Sequence, residues 1–242
     1  MASLQSIQNN HIPHSSHKIP ATTPPSFDRL LLQHQPRDLE RPTTPKNASF
    51  ITLSSKDFST PNLLKLKKNI HNKEVLFLKN QVLNNQSFQH LQQSLKHNSR
   101  LEHLIMSHTH LNHFAVAALS DLLKVNHFIG WLVLNNSQLD SMRLHLLSQG
   151  LKLNKGLKHL VLDDNDIGDE ALTDLLNHCE KHPRLESIFL KNTLVSKKSL
   201  NAIRIFLKKN ETIKRIDLRG TALSNEEEAL NYSLDDPRLH LK

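Results

Sequence analysis

The chain is poor in the residues that many chemistries need. It has one cysteine, five glycines, one tryptophan and one tyrosine in 242 residues. A lone Cys179 excludes an internal disulfide and suits a reducing compartment. Five glycines leave little for phosphate-cradling loops. No apolar run reaches the ~18 residues of a membrane span, and residues 1–12 lack the apolar core of a secretory signal. A cytoplasmic site of action is therefore expected. No paired carboxylates and no nucleophile–base spacing stand apart from the rest of the pattern, so neither enzyme activity nor a cofactor is expected.

What is present is a period. Residues 157–184 read LKHLVLDDNDIGDEALTDLLNHCEKHPR. Leu157, Leu160, Leu162, Asn165 and Ile167 follow the spacing L-x-x-L-x-L-x-x-N-x-L, and Leu172, Leu175 and Cys179 then continue at helical spacing. A short strand, a bend and a helix form one unit that cannot bury its own apolar face, so copies must stack. With residue 157 as position 1, equivalent units begin at Ala48, Lys73, Leu101, Ile129, Leu157, Leu185 and Ile213, a first step of 25 residues and then steps of 28. Positions 4, 6 and 11 are apolar in all seven units; with 37% of the chain apolar, chance agreement at 21 sites is about one in a billion. Helix columns repeat at position 16 (Phe88, Val116, Leu144, Leu172, Leu200) and position 19 (Leu91, Leu119, Leu147, Leu175, Ile203).

This period and motif resemble the ribonuclease-inhibitor-like class of leucine-rich repeats, over about residues 48 to 235. The resemblance implies an α/β fold: a right-handed solenoid of about seven 28-residue strand–helix repeats, with a parallel concave sheet and convex helices. It also implies a binding role, since the family includes inhibitors, receptors, cytoskeletal caps and bacterial effectors. Position 9 departs from the motif. It is Asn only at Asn165, and otherwise Lys56, Gln81, Thr109, Ser137, Thr193 or Thr221, whose hydroxyls can still bond the backbone of the bend. The short first unit places its deletion in the return loop before residue 73. Residues 1–46 read as a disordered polar tail rich in Ser, Thr, Pro, His and Gln. A short helix at 26–35, capped by Ser26, is expected there as a lid over the first strand or a docking peptide. Residues 47–242 form the repeat domain. Its seventh unit breaks register at Glu228, Asn231 and Asp235, and Asp235–Leu239, similar to Lys181–Leu185, is expected to begin a truncated cap.

Alternation along each strand sends positions 3, 5 and 7 to the face away from the helices. Position 5 carries Phe77, Ile105, Val133, Val161 and Phe189, with Trp131 beside them at position 3. We read these six as an exposed apolar stripe for a protein partner, with His103, His159, Asp163 and Lys191 around it. A non-enzymatic protein-binding module that acts as a monomer is the leading expectation; a regulator of an enzyme such as a GTPase is the alternative. The net charge of +8 also admits nucleic acid or an acidic membrane, but no stacking aromatics interleave with the cations. His108, His110 and His113 do not supply a tetrahedral zinc set at one bend. The run Asp163–Glu170 lacks the Glu that a calcium loop needs at its twelfth place, so no metal is expected. Finally, Glu226–Glu228 with Leu239 and Leu241 are similar to the acidic block and near-terminal apolar residue of type IV-secreted bacterial effectors, which implies delivery into a host cell.

Overall fold

A computed structural model describes residues 49–53, 63–78 and 83–242. All of them belong to one compact unit, residues 39–242. The tail with its expected helix at 26–35, and the bend residues Lys56 and Gln81, lie outside the described residues.

Among the described residues, eight short strands alternate with seven α-helices. They run β1 (Phe50–Thr52), α1 (Leu63–His71), β2 (Val75–Phe77), α2 (Asn85–Leu95), β3 (His103–Ile105), α3 (His113–Val125) and β4 (Trp131–Val133). They continue α4 (Ser141–Leu153), β5 (His159–Val161), α5 (Asp169–Cys179), β6 (Ser187–Phe189), α6 (Leu200–Lys209), β7 (Arg215–Asp217), α7 (Glu227–Asp235) and β8 (Leu239–His240). The strands form one sheet in sequence order, every neighbour parallel. The register follows the repeat: His103, Trp131, His159, Ser187 and Arg215 face one another across β3 to β7. Phe50 pairs with Val75, so the 25-residue step is absorbed without a register slip. The return from α1 to β2 spans only residues 72–74, against 126–130 between α3 and β4.

One apolar core lies between sheet and helices. The leucines of positions 4 and 6, with the helix columns, join a single cluster that includes Leu76, Leu104, Leu132, Leu160, Ile188 and Ile216. Cys179 is fully buried in it, and burial pushes its thiol up to about 12, which leaves it an inert apolar side chain.

Both ends of each repeat are fastened by polar side chains in columns. Position 12 caps the helices: the side chains of Asn84, Asn112 and Asp140 accept from the backbone N–H three residues on. Position 8 takes the left-handed backbone in five successive bends, at His108, Asn136, Asp164, Asn192 and Gly220. At position 9 the hydroxyls do bond backbone: Ser137 Oγ donates to Asn135 O of its own bend at 3.3 Å and, more closely, to Met106 O of the preceding repeat at 3.0 Å, and Thr193 Oγ1 donates to Leu190 O at 2.7 Å.

The opposite turn, from helix to strand, holds a ladder of buried asparagines at position 26: Asn98, Asn126, Asn154 and Asn210. Each Oδ1 accepts two backbone N–H groups of its own turn; for Asn154 these are Gly156 and Leu157, both at 2.8 Å. Each amide donates into the preceding repeat; Asn154 Nδ2 reaches Leu123 O at 2.7 Å and Asn126 O at 2.9 Å. At the end of the ladder Arg238, clamped by Asp236 at 2.6 Å and 2.8 Å, donates to Asn210 O at 3.4 Å.

The C-terminal segment does cap the sheet, with one difference from expectation. Leu239 pairs opposite Ile216, a position 4 residue, whereas likeness to Lys181–Leu185 put it at position 1. Leu239 follows Ile216 by 23 residues, so the approach to β8 is five residues shorter than a full 28-residue repeat, and Leu239 and Leu241 are buried.

Candidate functional site

The face of the sheet opposite α1–α7 carries the residues expected to bind a partner. The structure does bring them together. Phe77, Ile105, Val133, Val161 and Phe189 stand in register across β2 to β6, next to Trp131. They form an apolar layer separate from the core cluster. The expectation of an exposed stripe is corrected, however: all six are buried, with Trp131 the most exposed at 7%.

The described contacts over this layer give a physical reason. Strands only ~4.8 Å apart crowd large side chains of one face into mutual contact. The Trp131 indole lies between two imidazoles, stacked on His103 at 5.8 Å between centroids and tilted by 30° against His159 at 3.9 Å. Phe50 meets the Phe77 ring edge-on at 6.1 Å, and the Arg215 guanidinium sits 5.8 Å from the Phe189 ring centre.

Burial sets the electrostatics of the two histidines. His103 and His159 are both lowered to about 4 by desolvation; for His159, Glu186 opposes the shift while Lys158, His103 and Lys214 add to it. Both rings are thus neutral near pH 7, and Nδ1 of each is buried without a hydrogen-bond partner.

Toward β7 the layer turns charged. Asp217, in the position 5 column, is fully buried. It is met by Arg215 Nη2 at 2.9 Å, Arg219 Nη2 at 2.8 Å and Lys191 Nζ at 3.7 Å. Burial opposes its ionisation, but bonds from Arg219 and Arg215 and the Lys191 charge prevail and hold the carboxyl below its ordinary value. Asp163 behaves oppositely. Burial pushes it up to about 6, although the Lys191 backbone N–H donates to Oδ1 at 2.8 Å and the Lys191 charge favours ionisation.

The Arg215–Asp217–Arg219 cluster is the part of this face that the candidate set omits. Its signal was available: charges at alternate positions 3, 5 and 7 of one repeat, two on the strand and one just past its end, share a face. The acidic rim is largely occupied within the fold. Asp164 accepts from Asn192 at 2.8 Å, and Asp169 accepts from Ser196 N at 2.8 Å and from the hydroxyls of Ser196 and Ser199. His108 bonds Asn136 at 2.9 Å and His110 bonds Gln138. No group of three His, Cys, Asp or Glu side chains converges as a metal set among the described residues.

The repeat geometry defines an α/β solenoid of the leucine-rich-repeat kind: an open parallel sheet built one strand–helix unit at a time. Among solved structures, the chain is similar to the one described as "Leiomodin-1 Actin-Binding Site 2 (ABS2)", at 17% identity and a TM-score of 0.43, over 74% of this chain and 92% of that one. No family model matches the sequence. No curated protein matches it either.

Proposed function

We propose that the chain is a non-enzymatic protein-interaction module, a leucine-rich-repeat solenoid of the ribonuclease-inhibitor-like class, that binds a partner protein through the sheet face opposite its helices. The observation that carries this reading is the second apolar layer, Phe77 to Phe189 with Trp131, on a face the solenoid core does not use. Because that layer is buried, a partner meets its borders first: the half-buried His103, His159, Asp163 and Lys191. The apolar residues support these contacts from beneath.

The test is affinity capture with wild type and a His103→Ser, His159→Ser, Lys191→Glu variant shown by circular dichroism to fold alike. Loss of one captured protein in the variant supports the face as the site. Retention of every captured protein places the site elsewhere and defeats the residue set. If the captured protein is a GTPase or another enzyme, its activity with and without the chain decides whether the module regulates it. Action as an effector in a host cytosol, reached through a type IV system, rests on the C-terminal resemblance. Glu227 and Glu228 are exposed, whereas Leu239 and Leu241 are buried beside β7. A translocation assay with Glu226–Glu228 replaced by Gln, which leaves the last strand in place, tests that delivery separately.

A further inference from the structure

Three apolar side chains break the polar surface on the edge where helices return to strands. Val125 is 47%, Phe128 58% and Leu153 55% exposed. Val125 and Leu153 end α3 and α4 at the same repeat position, and the Phe128 N–H is held in the intervening turn by Asn126 Oδ1 at 2.9 Å. The frame beneath them is tight. Asn154 ties the two turns together, and α4 approaches α3 so closely that a Cβ on Gly150 would lie 2.4 Å from Ser120 O. The trio is therefore displayed on one edge by a fixed scaffold.

The same edge is basic. Segments 96–102, 124–130 and 152–158 contain Lys96, Arg100, Lys124, Lys152, Lys155 and Lys158 against the single acid Glu102. Of these cations Lys96, Arg100, Lys152 and Lys155 are exposed, while Lys124 bonds Asp121 at 2.7 Å. Compensation of the helix macrodipole accounts for a cation at a helix C-terminus. It does not account for three exposed apolar side chains among those cations.

We propose that this edge is a peripheral docking surface for an anionic phospholipid bilayer. Val125, Phe128 and Leu153 enter the boundary between headgroups and acyl chains, and the surrounding cations pair with lipid phosphate and carboxylate groups. Among the described residues no helix is long and apolar enough to cross a membrane, and the edge needs none. Bilayer fits better than nucleic acid because aliphatic side chains neither stack on bases nor read their edges; only Phe128 of the three has a ring. The inference is independent of the protein-binding face, which lies on the sheet rather than on its end.

The test is co-sedimentation of the full chain with phosphatidylcholine vesicles, with and without phosphatidylserine, at low and high salt. Binding is expected only with phosphatidylserine, weakening as salt rises. Phe128→Ser with Leu153→Ser should lower the bound fraction about fivefold, and Lys152→Glu with Lys155→Glu should abolish binding. All four side chains are exposed, so unchanged circular dichroism checks the fold. Equal sedimentation with both vesicle types, no sedimentation with either, or variants that bind like wild type would overturn the proposal. So would a DNA duplex bound by wild type and lost with Lys152→Glu and Lys155→Glu while vesicles stay unbound; that result would assign the edge to nucleic acid.

Discussion

The two ends of each strand are turned by different chemistry. Where helix returns to strand, one device recurs: a buried asparagine at Asn98, Asn126, Asn154 and Asn210 that closes its own turn and bonds the repeat before it. Where strand passes to helix, position 9 varies from Thr109 to Ser137, Asn165, Thr193 and Thr221. A hydroxyl reaches strand carbonyls but cannot both donate twice and accept twice, as the primary amide does. The lower amides therefore both close their own turn and stitch it to the repeat before, while each upper hydroxyl donates chiefly one bond, to the preceding strand at Thr109 and Ser137 and to its own strand at Thr193 and Thr221. That division leaves the upper loops free to differ, and they do: acidic at Asp163–Asp169, basic at Lys191–Lys198.

Breaking the lower stitch should have the largest effect. Asn154→Ala strands two N–H groups and two carbonyls in the interior, at a cost of about 5 kcal/mol. Ser137→Ala in an upper bend removes chiefly the Oγ bond to Met106 O and should cost about 1 kcal/mol. Urea midpoints at a common slope measure both. Equal losses would show that the two ends carry equal shares.

Acid should come next, acting on both regions with opposite signs. His103, His159 and the lower-turn His182 ionise at about 4 when folded, against 6.5 ordinarily, because burial disfavours the cation. The unfolded chain takes protons first, so stability falls as pH drops from about 6.5 to about 4 and levels off below. After discount for partial exposure this is about 2 kcal/mol per histidine. Asp163 runs the other way. Its carboxyl, raised by burial to about 6 from 3.8, takes its proton first in the folded state, so it adds stability as pH falls through that window. Three histidines against one aspartate give a net loss of about 4 kcal/mol between pH 7 and pH 4. Asp163→Asn should deepen the acid loss; a variant with the wild-type pH profile would remove Asp163 from the account.

How much of this was legible follows from what a period encodes. Columns 4, 6, 11, 16 and 19 gave the core, the register and the parallel order, because burial selects apolar side chains and the stacking repeats that choice. The asparagine column was equally periodic, at 98, 126, 154 and 210, but a search for apolar positions passes over a polar residue whose role is to bond backbone. The burial of Phe77 through Phe189 was not legible. Alternation tells which face a side chain takes, and only the structure tells what lies against it. Asn165 marks the boundary between the two regions. Among the described upper bends it alone carries a position 9 amide that, like a lower asparagine, both accepts and donates, taking bonds from Ser137 N and Leu139 N and donating to Leu134 O. Asn165→Thr, which copies its neighbours, should cost about 2 kcal/mol, because the two N–H groups of the preceding repeat lose their acceptor.

The smallest expected effect is a gain, at a lower turn that interrupts the ladder between Asn154 and Asn210. His182 stands where the repeats on either side have Asn154 and Asn210. Its Nδ1 accepts from Leu185 N at 3.0 Å, as an Oδ1 would, but Nε2 is buried without a partner. The equivalent amides of Asn126 and Asn154 reach carbonyls one repeat back, which for residue 182 are those of Leu151 and Asn154. His182→Asn should place an amide on them, remove an orphaned N–H, and raise stability by about 1 kcal/mol at pH 7. The gain should widen as pH falls toward 4, because the substitution also deletes one of the three acid-sensitive rings. Urea titrations at pH 7 and pH 5 separate the two contributions. A gain independent of pH would mean that His182 does not titrate in this window. No gain at either pH would mean that the lower turns tolerate an imidazole as well as an amide, and the contrast between the two ends of the strand would rest on the remaining asparagines alone.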